Sequence, residues 1–400
     1  MNAQALRLTQ NRWGFIAFMS VICCLSPFAM SFLVPAFPSI SGEFGKPVAD
    51  IQFLISVFLI GLGVAQPIHG MLADRFGRRP VLLIGFGIFT VASIMSVVTS
   101  SWTALVLCRL FQAIGVSAGT VISRTIVNDV QTREEAAESL SYISIAMGVG
   151  PILAPIFGGI FDTQFGWRSI FLGCALAGIF VWALAIFRLP ETRLVSQEPR
   201  NFIQDYRRLL KSPQFIGYTL LFGFGQGIFF AFLPIAPDYF ETVLGRSTSF
   251  FVASWIALSL AFMTGSLIGG RLTKRVGMDK AIFRGSIWLI FSGVIMVALY
   301  AGFGDHPYVV TFALAITLLG TGLICPLALA GSISLDPKLA ATAAGLSSSL
   351  GLMLGGLFTV LGGVVYDATL WPFIGLVGLA ILGNFLAMTL SRLKKREPEK

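Results

Sequence analysis

Runs without a single Asp, Glu, Lys or Arg recur along the whole chain, at 13–42, 51–73, 80–101, 139–161, 169–187, 212–237, 247–270, 285–304, 306–335, 339–366 and 368–391. A twelfth run, 102–123, is broken only by Arg109. Within each run the apolar residues are continuous rather than alternating, which predicts helices and rules out a membrane β-barrel. A helix of roughly 20 apolar residues crosses the hydrocarbon core of a bilayer and satisfies its own backbone hydrogen bonds there. The pattern therefore predicts an all-α integral membrane protein of twelve spans joined by short loops. The longest polar connection separates six spans from six. It divides the chain into an N-terminal bundle at 1–189, a linker at 190–212 in which Tyr206 to Leu210 form either a short interfacial helix or plain solvated chain, and a C-terminal bundle at 213–400.

Composition agrees. Hydrophobic residues make up 56% of the chain and charged residues 12%, with a mean hydropathy of +0.84, where a soluble domain is about a quarter charged. The five cysteines all sit inside apolar runs, and the two histidines, His69 and His306, are far apart. No metal-ligand spacing or disulfide framework appears. A membrane-embedded enzyme would need paired carboxylates or a histidine cluster at membrane depth, and none is present. Arg7 and Arg12 before the first run resemble a signal peptide, but the run is too long and no small-residue cleavage site follows, so it reads as an uncleaved first span.

The net charge of +9 changes meaning once it is mapped onto the loops. With the N-terminus placed inside, the inner connections hold every lysine and arginine except Lys46, Arg168 and Arg246 outside and Arg109 within a span. This is the positive-inside pattern. It predicts that both termini are cytoplasmic, and it gives the basic charge a topological meaning with no nucleic-acid partner.

The densest polar loop is Gly70-Met71-Leu72-Ala73-Asp74-Arg75-Phe76-Gly77-Arg78-Arg79-Pro80, and a weaker copy follows 200 residues later. There Gly270, Arg275 and Gly277 repeat Gly70, Arg75 and Gly77, with Lys274 in the place of Asp74. Such recurrence at half the chain length indicates a duplicated transporter architecture. Glycine allows the sharp turn between antiparallel helices, and an anion near a membrane face is stabilised by a helix N-terminus. With Lys274 replacing Asp74, the second copy is expected to keep the turn and the positive charge but to have no anionic latch, leaving the halves unequal in gating.

The first loop resembles the G-x-L-x-D-R-x-G-R-R-P segment between helices 2 and 3 of the major facilitator superfamily. Leu107 to Gly115, containing Arg109 and Gln112, is similar to a helix-4 segment of that superfamily. Gly148-Val149-Gly150-Pro151, through Pro155 to Gly158-Gly159, is similar to the helix-5 segment of proton-coupled exporters. Pro35-Ala36-Phe37-Pro38, Arg124 to Asp129, Trp167 to Phe171 and Leu189-Pro190-Glu191-Thr192 resemble bicyclomycin/chloramphenicol-resistance-type drug exporters.

The resemblance implies two six-helix bundles that rock around a central site. It implies a cytoplasmic latch in which Asp74 docks on helix 11 near Ala341 and Arg75, Arg78 and Arg79 face Asp129. Arginines that merely anchor topology are the alternative. Arg109 lies too deep to be incidental. It is either a charge that responds to proton or substrate occupancy, with Gln112 one turn away, or a structural tie between helices. Gly150, Pro151, Pro155 and Gly159 bend helix 5 and let it pack closely, for a rocking interface or for packing alone.

In this fold helices 1, 4, 7 and 10 line the cavity. Phe28, Ser31, Phe32, Gln226, Phe230 and Cys325 then form an aromatic, weakly polar wall suited to amphiphilic ligands. Related exporters carry an aspartate where this chain has Ser31, and no span has an acid at its middle. The residues leave the proton-coupling group unassigned, with Asp238 at the outer end of the seventh span as first candidate. The expectation is a monomeric, multi-pass transporter of the bacterial inner membrane. It exports small amphiphilic compounds such as antibiotics in exchange for protons, draws on the proton-motive force and uses no cofactor or metal. A specific metabolite or sugar exporter, or a uniporter without proton coupling, is the alternative. A transporter-like receptor would need a large soluble appendage, and only a few residues follow Arg392.

Overall fold

The computed structural model describes residues 11–193, 202–233 and 235–393. Arg7, Arg200 with the middle of the linker, and the basic tail Lys394, Lys395, Arg396 and Lys400 lie outside them. Among the described residues there is no strand, and twelve helices are long and apolar enough to cross a membrane. We number these α1 (Arg12–Phe32), α2 (Phe53–Phe76), α3 (Arg78–Val98), α4 (Trp102–Val130), α5 (Arg133–Phe165), α6 (Arg168–Arg188), α7 (Pro213–Phe232), α8 (Thr248–Val276), α9 (Met278–Phe303), α10 (Pro307–Ile333), α11 (Ala340–Val365) and α12 (Trp371–Arg392).

Local chemistry sets the ends of these helices. Asn11, Ser212 and Ser247 cap α1, α7 and α8 through their side chains, and Pro213 and Pro307 open α7 and α10 where no N–H is required. Thr132 and Glu135 bond each other reciprocally at the start of α5, a capping box. The first apolar run is not one straight helix. It breaks after Phe32 into a tight turn at Val34–Ala36 and a short helix, Phe37–Phe44, because Pro35 and Pro38 remove backbone donors. The linker helix is longer than expected, Phe202–Leu210.

Two compact units account for the chain. The first comprises Met1–Val130, Ala146–Arg200 and Asp336–Ser349; the second comprises Gln131–Ile145, Asn201–Leu335 and Leu350–Lys400. Both α5 and α11 therefore change unit part-way along. The first turns of α11 pack with α2 and α4, and the first turns of α5 pack with α7, α8 and α9.

Candidate functional site

In the first unit the α2–α3 turn is built on Gly77, whose φ of +105° is open to glycine at little cost. This turn lets Arg78, the first residue of α3, fold back over the end of α2. Its guanidinium is 2% exposed, and it lies 3.0 Å from the Asp74 carboxylate and 2.8 Å from that of Asp129. It also donates to the Ala73 carbonyl at 3.1 Å. One buried cation thus sits between two buried anions.

The excess negative charge is met from elsewhere. Asp74 accepts from the Thr342 backbone N–H at 2.8 Å, from the Thr342 hydroxyl at 2.6 Å and from the Ala341 N–H at 3.4 Å. These are N–H groups of the first turn of α11, which have no partner within their own helix and carry the positive end of its dipole. Asp129 in turn accepts from the Thr192 hydroxyl at 2.9 Å.

The α2–α11 seam is close because both sides use glycine. A Cβ on Gly70 would collide with the Ala341 carbonyl, and one on Gly345 with the Gln66 carbonyl. Ser349 donates to the Gly63 carbonyl at 2.6 Å, and Arg124 of α4 donates to Ser348 at 2.8 Å. Docking of α11 on Asp74 therefore occurs where expected.

Arg75 is placed differently from Arg78: it is exposed, with its guanidinium 5.1 Å from the Phe76 ring. Arg79 reaches the Ile186 carbonyl at the end of α6. Glu191 was not singled out for any role, yet its carboxylate accepts from the backbone N–H groups of Arg78, Arg79 and Arg193 at 2.8–3.1 Å. It caps α3 from 113 residues away. The only signal for it is the Leu189–Thr192 resemblance, which carries no statement of what the acid touches.

The second copy of the loop has no anion, and its lysine makes a contact of the opposite sign. Gly277 repeats the turn with φ +84°, and Lys274 meets Glu138 of α5 at 2.8 Å. Gly270 approaches Ser141 and the Glu138 backbone. Arg133 at the start of α5 donates to Tyr218 at 2.7 Å and lies 3.3 Å from Asp279, and Tyr218 also donates to Asp279. The polarity is reversed. The loop supplies the cation and the docked helix supplies the acid.

Arg109 is fully buried inside the first unit. Its guanidinium carbon is 4.4 Å from the Phe58 ring of α2, and Nη1 donates to Gln112 Oε1 at 2.9 Å. The Gln112 amide donates to Ser93 of α3, while Arg109 Nε and Nη2 have no hydrogen-bond partner among the described residues. Along α5, Gly158 makes the tight approach, against the Phe32 carbonyl of α1. Gly150 and Gly159 have room to spare, Pro155 is half-buried, and Pro151 lies one residue beyond Gly150. This stretch of α5 thus packs closely on its own unit, through a neighbour of the expected glycines.

The remaining expected residues are dispersed. Phe28 stacks on Phe32 at 5.0 Å, and Phe32 on Phe161 at 5.5 Å, with Ser31 buried beside them. In the second unit Phe230 covers Gly355, and Cys325 is buried with its thiol directed at α7; Gln226 is half-buried. An apolar pocket among α7, α8, α10 and α12 is lined by Phe229, Phe232, Trp255, Leu314 and Phe373. Asp238 is exposed and accepts from Tyr366 at 2.7 Å. Burial and this carboxylate hold the Tyr366 hydroxyl above the ordinary phenol range, so it remains a donor. Among the described residues no group of His, Cys, Asp and Glu is arranged to hold a metal.

Comparison with known proteins gives a consistent picture. A profile described as Major Facilitator Superfamily matches residues 19–359. The chain is 28% identical over 384 residues to multidrug resistance protein D of Escherichia coli K12, covering 95% of this chain and 93% of that protein. It is also 28% identical to a chloramphenicol resistance protein of Pseudomonas aeruginosa, covering 89% and 86%. The crystal structure of the human organic anion transporter MFSD10 (TETRAN) superposes with a TM-score of 0.75 at 18% identity, covering 97% of this chain and all of that one.

Proposed function

The chain belongs to the major facilitator superfamily, and from that premise we propose that it exports small amphiphilic compounds, antibiotics among them, in exchange for protons. It does so as a monomer in the bacterial inner membrane, with both termini in the cytoplasm. The observation that carries the reading is the docking of α11 on Asp74. Those bonds join a polar loop of the first half to the free N–H groups of a helix from the second, so they can be exchanged for water when the halves rock. The names of the drug-resistance relatives support an amphiphilic substrate, as do the aromatic positions on α1 and α7. The proton-motive force is the energy source, and the lipid bilayer is the surrounding partner.

A second reading is an exporter or uniporter of a specific metabolite or sugar without proton coupling. It is favoured by Ser31, which has no charge to gain or lose where drug exporters of this type have an acid. Inverted vesicles holding a pH-sensitive dye separate the two. With an imposed proton gradient and a panel of amphiphilic compounds including chloramphenicol, exchange predicts dissipation by at least one compound. Substrate flux indifferent to the gradient would establish the uncoupled reading.

A further inference from the structure

We propose that His69 is the side chain on α2 that takes up and releases the exchanged proton, and that its charge opens the α2–α11 seam. The inference rests on the proton-exchange reading and supplies the residue that Ser31 cannot. The imidazole is 7% exposed, and its Nδ1 lies 2.8 Å from the Ser117 hydroxyl of α4. The single Ser117 proton is directed to the Ile114 carbonyl at 2.7 Å. A neutral imidazole keeps one ring nitrogen unprotonated, and that lone pair is the site where a proton can add.

The surroundings make that proton consequential. Gln66 and Gly70, which bracket His69 on α2, are the positions whose backbone touches Gly345 and Ala341 of α11. The ionisable groups on the packed helices are engaged elsewhere. Asp74 on α2 is tied to Arg78 and Thr342, and Arg75 lies over Phe76. On α3, Arg78 bridges two acids and Arg79 reaches Ile186. On α4, Arg109 bonds Gln112, Arg124 bonds Ser348 and Asp129 bonds Arg78. The α11 segment Ala340–Ser349 carries no ionisable side chain. An imidazolium at this position has no carboxylate to pair with, and it stands beside a seam whose α11 end already presents a positive dipole. Adding the proton therefore favours separation of α11 from α2, where water can solvate the charge. Releasing it restores the seam. The proton enters from water and returns to water, and no other bond changes.

The test places spin labels at Phe76→Cys and Pro337→Cys, both exposed at the seam, in a background lacking the five native cysteines. Lowering the pH from about 8 to about 4 reaches below the range of a free histidine and is expected to lengthen the label separation. His69→Gln should hold the separation at its high-pH value and lose substrate-driven dissipation in the vesicle assay. A separation that still responds to pH in His69→Gln overturns the proposal. A pH-dependent seam in a chain whose vesicles show no dissipation with any compound overturns it as well, and removes the exchange reading with it. Should His69→Gln fold poorly, His306→Gln leaves His69 as the only histidine, because the chain has two. The nitrogen resonances of that ring should then report protonation over the same pH interval in which the label separation lengthens, and a ring neutral throughout would sink the assignment.

Discussion

The turn at Gly77 buries an arginine between two aspartates and sends the surplus negative charge to the amide end of α11. The turn at Gly277 instead leaves a lysine 45% exposed against a glutamate that is 5% exposed. Both turns hold the first turns of a helix that belongs in sequence to the other half of its bundle pair, α11 in one case and α5 in the other. The duplicated backbone thus fixes which elements meet, while the sign and burial of the charges are free to differ. A latch of buried ions is lost as a whole when one member goes, because a charge without a partner cannot stay dry. A half-hydrated ion pair is screened by water, so its loss is mild and graded.

The largest expected contrast lies in the cations. Arg78→Met strands Asp74 and Asp129 and should cost about 3–5 kcal/mol, seen as a marked fall in the thermal unfolding temperature of the detergent-purified protein. Lys274→Met should cost less, about 1–3 kcal/mol, because the cation it removes is already half-exposed while Glu138 is left buried. Equal losses at the two sites would show that the loops are equivalent despite their chemistry.

Next come the glycines. Gly70→Ala drives a methyl into a backbone carbonyl that cannot step aside, costing about 1–3 kcal/mol and slowing export through a seam that no longer closes. Gly270→Ala meets the Ser141 Cβ at 2.9 Å, a smaller overlap, so its loss of export should be milder than that of Gly70→Ala. Transport in everted vesicles checks both, and an inactive Gly270→Ala would contradict the asymmetry.

Charge reversal gives a smaller and more specific effect. Lys274→Glu sets two acids together and should slow export, while Lys274→Glu combined with Glu138→Lys should restore it. A double-mutant cycle on transport rate reads the coupling, and additive losses would mean that the pair does not act as a unit. The smallest effect is expected at Thr192→Val, which removes one hydrogen bond to Asp129 and should lower stability by about 1 kcal/mol, measurable as a shift of the unfolding midpoint.

The twelve spans were legible because continuous apolar runs bounded by charge have no other stable form in a bilayer. The Asp74 docking was legible through the family resemblance of its loop, which implies an aspartate set at the start of helix 11. Glu191 was hidden for a physical reason. A cap donated across 113 residues depends on where the chain returns, and neither loop contains that information. The partner of Lys274 was not legible because a loop alone shows only its own sign. Glu138 sits on α5, where it reads as one more acid at a helix start. At Arg109, depth was legible but direction was not. Which neighbours enclose a long side chain depends on the rotation of its helix, and here α2 and α3 supply them.

The placement of the α11 amides has a consequence for how the chain is made. Asp74 lies 268 residues ahead of the Thr342 N–H that it receives. At roughly 5–20 residues per second of synthesis, the first six helices are complete for about 8–30 seconds before that partner exists. Throughout that interval Asp74 has Arg78 beside it but none of the α11 donors. Completion of the first unit is thus timed by the ribosome's arrival at the eleventh helix.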